Sequence, residues 1–157
     1  GRLVHRLLQE LYARPEARHG LGALDDATLA ASFRAVAGPV LAGSLAGADP
    51  LAAAWRRLEE ARLWELVRQL RTIDAVRGEF TVAVEQSRLL AVGDLEFALR
   101  LDRVETHGAG DLVLDYKTGE ARPADWLPPR PVDAQLPLYA LGPGVAGVGV
   151  VKLRPPV

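Results

Sequence analysis

The stretch from Leu99 to Gly119 constrains this chain most, because it places charged residues at the ends of two apolar strands. The Gly108-Ala109-Gly110 segment between the apolar residues is typical of a tight turn that joins two strands. Successive side chains of a strand point to opposite faces, so Asp115 and Lys117 share a face. Pairing of the two strands would bring Asp102 beside Asp115. The sequence therefore predicts two carboxylates and an ammonium group together at the end of a sheet.

Two neighbouring carboxylates repel each other unless another charge offsets theirs. A divalent cation does this, and carboxylate oxygens are ligands that suit magnesium. An ammonium group beside them, that of Lys117, can orient a water or stabilise charge on a phosphate. These parts are the minimum for metal-assisted hydrolysis of a phosphodiester. The alternative is an ordinary surface ion pair between Asp115 and Lys117 on an edge strand, which contributes little stability.

Several segments of the chain resemble one family when they are taken in order. Asp102–Arg103, Asp115–Gly119 and Gln135–Tyr139 resemble the PD-(D/E)XK nuclease superfamily, specifically its RecB-like branch. The sequence is similar to the nuclease-like C-terminal domains of bacterial DNA repair proteins in that branch. Gly1–Leu8 resembles the Gly-x-x-x-His helix that opens such domains, and Phe80–Glu85 resembles the strand that carries an acidic residue before the core hairpin. The resemblance covers nearly the whole chain.

The resemblance implies roles for individual residues. The catalytic positions fall on Asp102, Asp115 and Lys117. The metal-binding positions fall on Asp102, Asp115, His5 and Glu85, and the metal implied is Mg²⁺ or Mn²⁺. Gln135 and Tyr139 match a helix motif near the DNA, and Arg103 is a candidate substrate contact beside the site. Some relatives bind an iron–sulfur cluster through cysteines, and this chain has no cysteine, so no such cluster is expected.

Composition bounds the class of protein. A length of 157 residues, with 49% hydrophobic and 25% charged residues, fits one globular domain spanning residues 1–157. No run is long enough to span a membrane, and no segment has the pattern of a signal peptide. The absence of cysteine excludes disulfides and fits a cytoplasmic location. We therefore expect a cytoplasmic protein without a membrane partner.

Net charge bears on how the chain would reach DNA. The net charge is −1, whereas a free-standing DNA-binding domain usually has a clear basic excess. Either the basic residues are grouped locally, or a larger protein delivers this domain to DNA. The chain also starts directly on the helix of His5. We expect a domain excised from a longer protein, in which a helicase-like domain or subunit can be the partner.

Apolar spacing predicts the order of secondary structure. Helices are predicted over residues 2–13, 24–37 and from Pro50 to about Ile73, with Gly38-Pro39 interrupting the second. Strands are predicted over residues 79–86 (extended by 88–92), 95–105, a third ending at Lys117, and 148–153, with a helix that holds Gln135 before the last. The order is α-β-β-β-α-β with extra N-terminal helices. It predicts an α/β fold with a mixed central sheet flanked by helices, and the resemblance implies a restriction-endonuclease-like core.

Together these features predict a metal-dependent nuclease domain that hydrolyses phosphodiester bonds, and the resemblance implies that it acts in DNA repair or recombination. The alternative is a non-catalytic domain that binds DNA or braces a helicase–nuclease-type complex. The near-neutral charge favours this alternative, whereas the intact Asp102, Asp115 and Lys117 argue against it.

Overall fold

The structure is a computed structural model that describes residues 1–44, 49–127, 129, 131 and 133–153. The chain forms two compact units, one within residues 1–79 and the other over residues 80–153. The prediction of a single domain stays a prediction. In the described ranges, every helix is too short or too polar to cross a bilayer.

The first unit contains three α-helices: α1 (Arg2–Tyr12), α2 (Asp26–Ser44) and α3 (Pro50–Ala75). Helix α1 buries the stripe that its spacing predicts, formed by Val4, Leu7, Leu8, Leu11 and Tyr12. Helix α3 starts as predicted, because the Asp49 carboxylate accepts a hydrogen bond from the Ala52 N–H at 2.9 Å and Pro50 occupies the first turn.

The predicted interruption of the second helix at Gly38-Pro39 is wrong. Helix α2 continues through Pro39 to Ser44. A proline inside a helix removes one backbone hydrogen bond and crowds the preceding turn. Here Val36 and Ala37 before it and Val40 and Leu41 after it are all buried, so burial of the helix face on both sides offsets the local cost.

Asp74 ties the first unit together. Its carboxylate accepts hydrogen bonds from the Tyr12 hydroxyl at 2.7 Å and from the Leu21 N–H at 2.9 Å. Gly22 lies against α3 so closely that a Cβ atom there would stand 2.4 Å from the Ala75 nitrogen. These contacts join α1, the turn after it and the end of α3.

The second unit is a four-stranded sheet with one short helix. Its strands are β1 (Thr81–Val92), β2 (Leu95–His107), β3 (Gly110–Lys117) and β4 (Val145–Lys152), and α4 (Gln135–Ala140) lies between β3 and β4 in sequence. The strand order is β1-β2-β3-β4. The first three strands pair antiparallel, and β4 runs parallel to β3. The α/β class, the mixed sheet and the α-β-β-β-α-β order with extra N-terminal helices are confirmed, and they agree with a restriction-endonuclease-like core. The predicted extension of the first strand by residues 88–92 is confirmed, and the strand begins at Thr81 rather than at residue 79.

The β1–β2 hairpin is strongly curved. Glu85 has a left-handed φ of 51°, and the ladder between the strands is interrupted opposite it. Arg88 lies 2.6 Å from Asp111. The partners of these two residues on β2, Leu99 and Thr106, are seven positions apart, a distance of about 23 Å in a straight strand. The contact therefore requires the hairpin to bend back toward β3.

Helix α4 packs on one face of this sheet and forms its main apolar core. The buried members are Leu101, Val104, Val113, Leu136 and Tyr139. Leu99, Trp126, Val145, Val148 and Val150 pack around them. Val113, Val148 and Val150 alternate with residues of the opposite face, so they define the face that α4 covers.

Candidate active site

The site begins where β2 and β3 separate. Their ladder ends at the pair Arg103–Leu114, and the next pair in the same register would be Asp102 and Asp115. Instead of continuing the ladder, the Asp102 carboxylate accepts a hydrogen bond from the Tyr116 N–H at 3.1 Å. A side chain thus replaces the backbone partner. Among the strands that the structure describes, this end of β3 keeps only β4 as a neighbour, with Asp115 paired to Val150.

Lys117 lies on the same face as Asp115 and has three acceptors around its ammonium group. The Nζ atom is 3.0 Å from Asp115 Oδ2, 3.2 Å from Gln135 Oε1 and 3.7 Å from Asp133 Oδ2. Burial lowers the pKa of Lys117. The hydrogen bond and charge of Asp115 outweigh that effect, with the charges of Asp133 and Asp102 adding to it, so the net pKa is raised above 10.5. Lys117 is therefore positively charged, and its ammonium group is held in place by these three acceptors.

The Gln-x-x-x-Tyr segment on α4 supports this lysine. Gln135 Nε2 donates to the Tyr139 hydroxyl oxygen at 2.7 Å, and the Tyr139 hydroxyl donates to the Arg100 carbonyl at 2.7 Å. Burial raises the pKa of Tyr139, although the Gln135 hydrogen bond opposes the shift. The hydroxyl therefore keeps the proton that it donates to β2. The chain of hydrogen bonds fixes the orientation of the Gln135 amide, and its oxygen faces Lys117.

Asp133 is a member of the group that the sequence analysis did not single out. Its Oδ1 atom accepts from the Gln135 N–H at 3.0 Å, while Oδ2 faces Lys117. The residue therefore accepts from the first backbone N–H of α4 and adds a negative charge beside the lysine. The sequence feature that could have identified Asp133 is its position two residues before Gln135, because the same turn brings Gln135 to Lys117.

Arg103 does not fit its predicted place as a substrate contact. It is buried and lies 2.6 Å from Glu105, which is also buried. The Tyr116 hydroxyl is 3.4 Å away, and the guanidinium lies over the Phe80 ring. The reason is strand alternation: Arg103 follows Asp102 directly, so it points to the opposite face of β2. Arg103 is a buried structural ion-pair member in this unit.

Glu85 and His5 are the remaining residues that were predicted to bind the metal. Glu85 forms an ion pair with Arg100, the residue whose carbonyl accepts from Tyr139. His5 lies on α1 of the first unit, and its Nδ1 is 3.0 Å from the Gly1 carbonyl oxygen. The predicted roles of both at a metal stay predictions.

The oxygen donors at this site decide whether it can hold a divalent cation. Across the described residues, no three His, Cys, Asp or Glu side chains are grouped as a metal site. Magnesium, however, is usually held by only one or two carboxylates and keeps several waters. Asp102 and Asp115 are adjacent in register and supply such a pair. The residues present therefore fit magnesium or manganese bound through two carboxylates.

Comparison with known proteins gives one match. The chain matches the PD-(D/E)XK nuclease superfamily over residues 1–144. Neither the curated proteins nor the solved structures give a significant match.

Proposed function

The chain belongs to the PD-(D/E)XK nuclease superfamily, and we propose that it is a metal-dependent nuclease domain that hydrolyses phosphodiester bonds of DNA. The observation that supports this most is the group formed by Asp102, Asp115 and Lys117 at the point where β2 leaves β3. A surface ion pair on an edge strand would not need the added contacts of Gln135 and Asp133.

In this proposal Asp102 and Asp115 hold Mg²⁺ or Mn²⁺. When bound, the cation lowers the pKa of a coordinated water and offsets charge on the phosphate. The Tyr116 N–H fixes the rotamer of Asp102, and Lys117 fixes that of Asp115. His5 and Glu85 are proposed as further metal-site residues on the resemblance alone.

Lys117 acts on the substrate in this proposal. Its ammonium orients the attacking water or stabilises the charge that develops on the phosphate oxygens, an effect that is strongest in a site partly shielded from water. Gln135, Tyr139 and Asp133 are positioning residues, because they act through Lys117. Gln135 and Tyr139 thus take a role beside the DNA without having to contact it.

The wider context is proposed from the resemblance. The domain would span residues 1–157, belong to the RecB-like branch, and act in DNA repair or recombination in the cytoplasm. A helicase-like domain or subunit would deliver it to DNA, which fits a net charge of −1. The same charge favours the rival function, a non-catalytic domain that binds DNA or braces such a partner.

Labelled single-stranded and double-stranded DNA should separate the two functions. A nuclease cleaves at least one of them with Mg²⁺ or Mn²⁺ and stops when a chelator is added. A domain that only binds DNA or supports a partner protein cleaves neither substrate with either metal.

Calorimetric titration with Mn²⁺ adds a readout that needs no activity. Asp102→Asn keeps an oxygen that can accept from the Tyr116 N–H but removes a charge. It should weaken Mn²⁺ binding, because carboxylate charge governs affinity for divalent cations. Unchanged affinity would remove Asp102 from the metal site.

A further inference from the structure

Lys117 and Lys152 are the only two lysines in the chain, and the fold places them side by side. They are direct partners in the parallel ladder between β3 and β4. The Leu153 N–H donates to the Lys117 carbonyl at 2.9 Å, which fixes the end of β4 against the end of β3. Their backbones are therefore about 4.8 Å apart, the spacing of neighbouring strands.

The two side chains share a face of the sheet. Val148 and Val150 pack in the core under α4, and Lys152 follows Val150 by two positions, so it points the same way. Asp115, the partner of Val150 in the ladder, and Lys117 lie on that face as well. Lys152 consequently lies at the border of the candidate site.

The two lysines differ in what surrounds them. Lys117 has Asp115 within 3.0 Å and Asp133 within 3.7 Å. Lys152 is exposed and forms no ion pair or side-chain hydrogen bond with any residue that the structure describes. Two neighbouring like charges repel, and Lys117 is already offset by carboxylates. Among the described residues, Lys152 is left as a positive charge without a counter-charge.

We propose that Lys152 binds a backbone phosphate of the nucleic acid next to the phosphate at Lys117. This inference rests on the proposed function, and it adds a substrate contact outside the family's motif residues. A nucleic-acid strand carries one phosphate about every 3.4 Å along the helix axis. Two ammonium groups on strands about 4.8 Å apart can therefore meet successive phosphates of one strand. Lys152 contributes to binding and orientation, whereas Lys117 acts at the reacting phosphate.

Salt dependence of DNA binding measures this contact directly. Wild type, Lys152→Gln and Lys152→Arg would be titrated into a fluorescent oligonucleotide at several salt concentrations, with Ca²⁺ in place of Mg²⁺. Loss of one phosphate contact should reduce the slope of log affinity against log salt by about 0.7 to 0.9. Lys152→Arg should keep the wild-type slope because it keeps the charge. Arg18→Gln is the matched control, since it removes one exposed positive charge from the first unit.

Steady-state cleavage in Mg²⁺ then separates binding from chemistry. Lys152→Gln should raise KM several-fold and leave kcat within about twofold of wild type, as expected when uniform binding is lost. Melting temperatures check that the variants fold. An unchanged slope, an equal loss in Arg18→Gln, or a fall in kcat with unchanged binding would each overturn the proposal.

The same data keep the two proposals apart. If wild type cleaves DNA and Lys152→Gln keeps the wild-type salt slope of DNA binding, only the phosphate contact of Lys152 is refuted. If DNA binding depends on Lys152 but wild type does not cleave, only the proposed nuclease activity is refuted. Absence of both binding and cleavage in wild type removes both.

Discussion

The ammonium group of Lys117 lies 3.0 Å from the carboxylate of Asp115, two residues earlier on the same face of β3. The pair stands where the β2–β3 ladder has ended, with Asp102 held beside it by the Tyr116 N–H. The end of the ladder leaves room at this point for side chains rather than backbone partners. The proposed chemistry depends on this local opening of the sheet.

Asp133 should affect the reaction rate through its negative charge rather than through the hydrogen bond that it accepts from the Gln135 N–H. Asp133→Asn keeps an oxygen for the Gln135 N–H and removes the negative charge beside Lys117. We expect DNA cleavage to slow about tenfold, the lower end of what outer-shell partners contribute. The free energy of unfolding, measured in urea, should change by less than about 0.5 kcal/mol. Asp125→Asn, in the same connection but paired with Arg122, is the control, and equal rates for the Asp133 variant and wild type would contradict the role.

The buried pair of Arg103 and Glu105 should control stability. Arg103→Met removes the 2.6 Å partner of the buried Glu105 and leaves its 3.2 Å contact with His107 Nε2 in place, which should reduce the free energy of unfolding by about 3 kcal/mol, the lower end for a broken buried pair. Replacing both residues, as Arg103→Met with Glu105→Leu, should recover most of the loss. Urea denaturation measures each step. If Arg103→Met were as stable as wild type yet bound DNA less tightly, Arg103 would be a substrate contact after all.

Acid should weaken the curved hairpin through Asp111. The hydrogen bond from Arg88 lowers the pKa of Asp111 below 3.8; burial opposes the shift, and Thr106 assists it. Because the folded pKa is the lower one, the contribution to stability is complete above pH 3.8 and disappears as pH falls through the folded value.

Unfolding curves at several pH values test this effect. Wild type should lose stability more steeply than Asp111→Asn below pH 3.8. Asp94→Asn, in the exposed turn between β1 and β2, is the control. Parallel pH profiles for wild type and Asp111→Asn would contradict the assigned cause.

Much of the fold follows from local sequence patterns. The stripe on α1, the Asp49 cap with Pro50, and the Gly108-Ala109 turn are all short-range signals, and the structure contains each of them. Pro39 shows the limit, because the burial of residues on both sides of it is a tertiary effect that no local pattern contains.

Two physical causes explain the features of the site that were not predicted from the sequence. Strand alternation alone places Arg103 on the face away from Asp102, a geometric constraint that the expectation of a substrate contact, based on charge, did not weigh. The positions of Asp133 and Lys152 depend instead on how α4 and β4 return to β3. That return is set by long-range packing, which residue spacing does not encode.

Cleavage of a labelled oligonucleotide by wild type and Lys117→Ala, side by side at saturating DNA, tests the central claim most directly. Each protein would be assayed with Mg²⁺, with Mn²⁺ and with chelator, and Arg18→Gln would serve as a control for the loss of an exposed positive charge. Wild type should cleave only with metal, and Lys117→Ala should be slower by about 100-fold or more, while its Mn²⁺ affinity and melting temperature stay close to those of wild type. Equal cleavage by the two proteins, or no cleavage by wild type with either metal, would contradict the account.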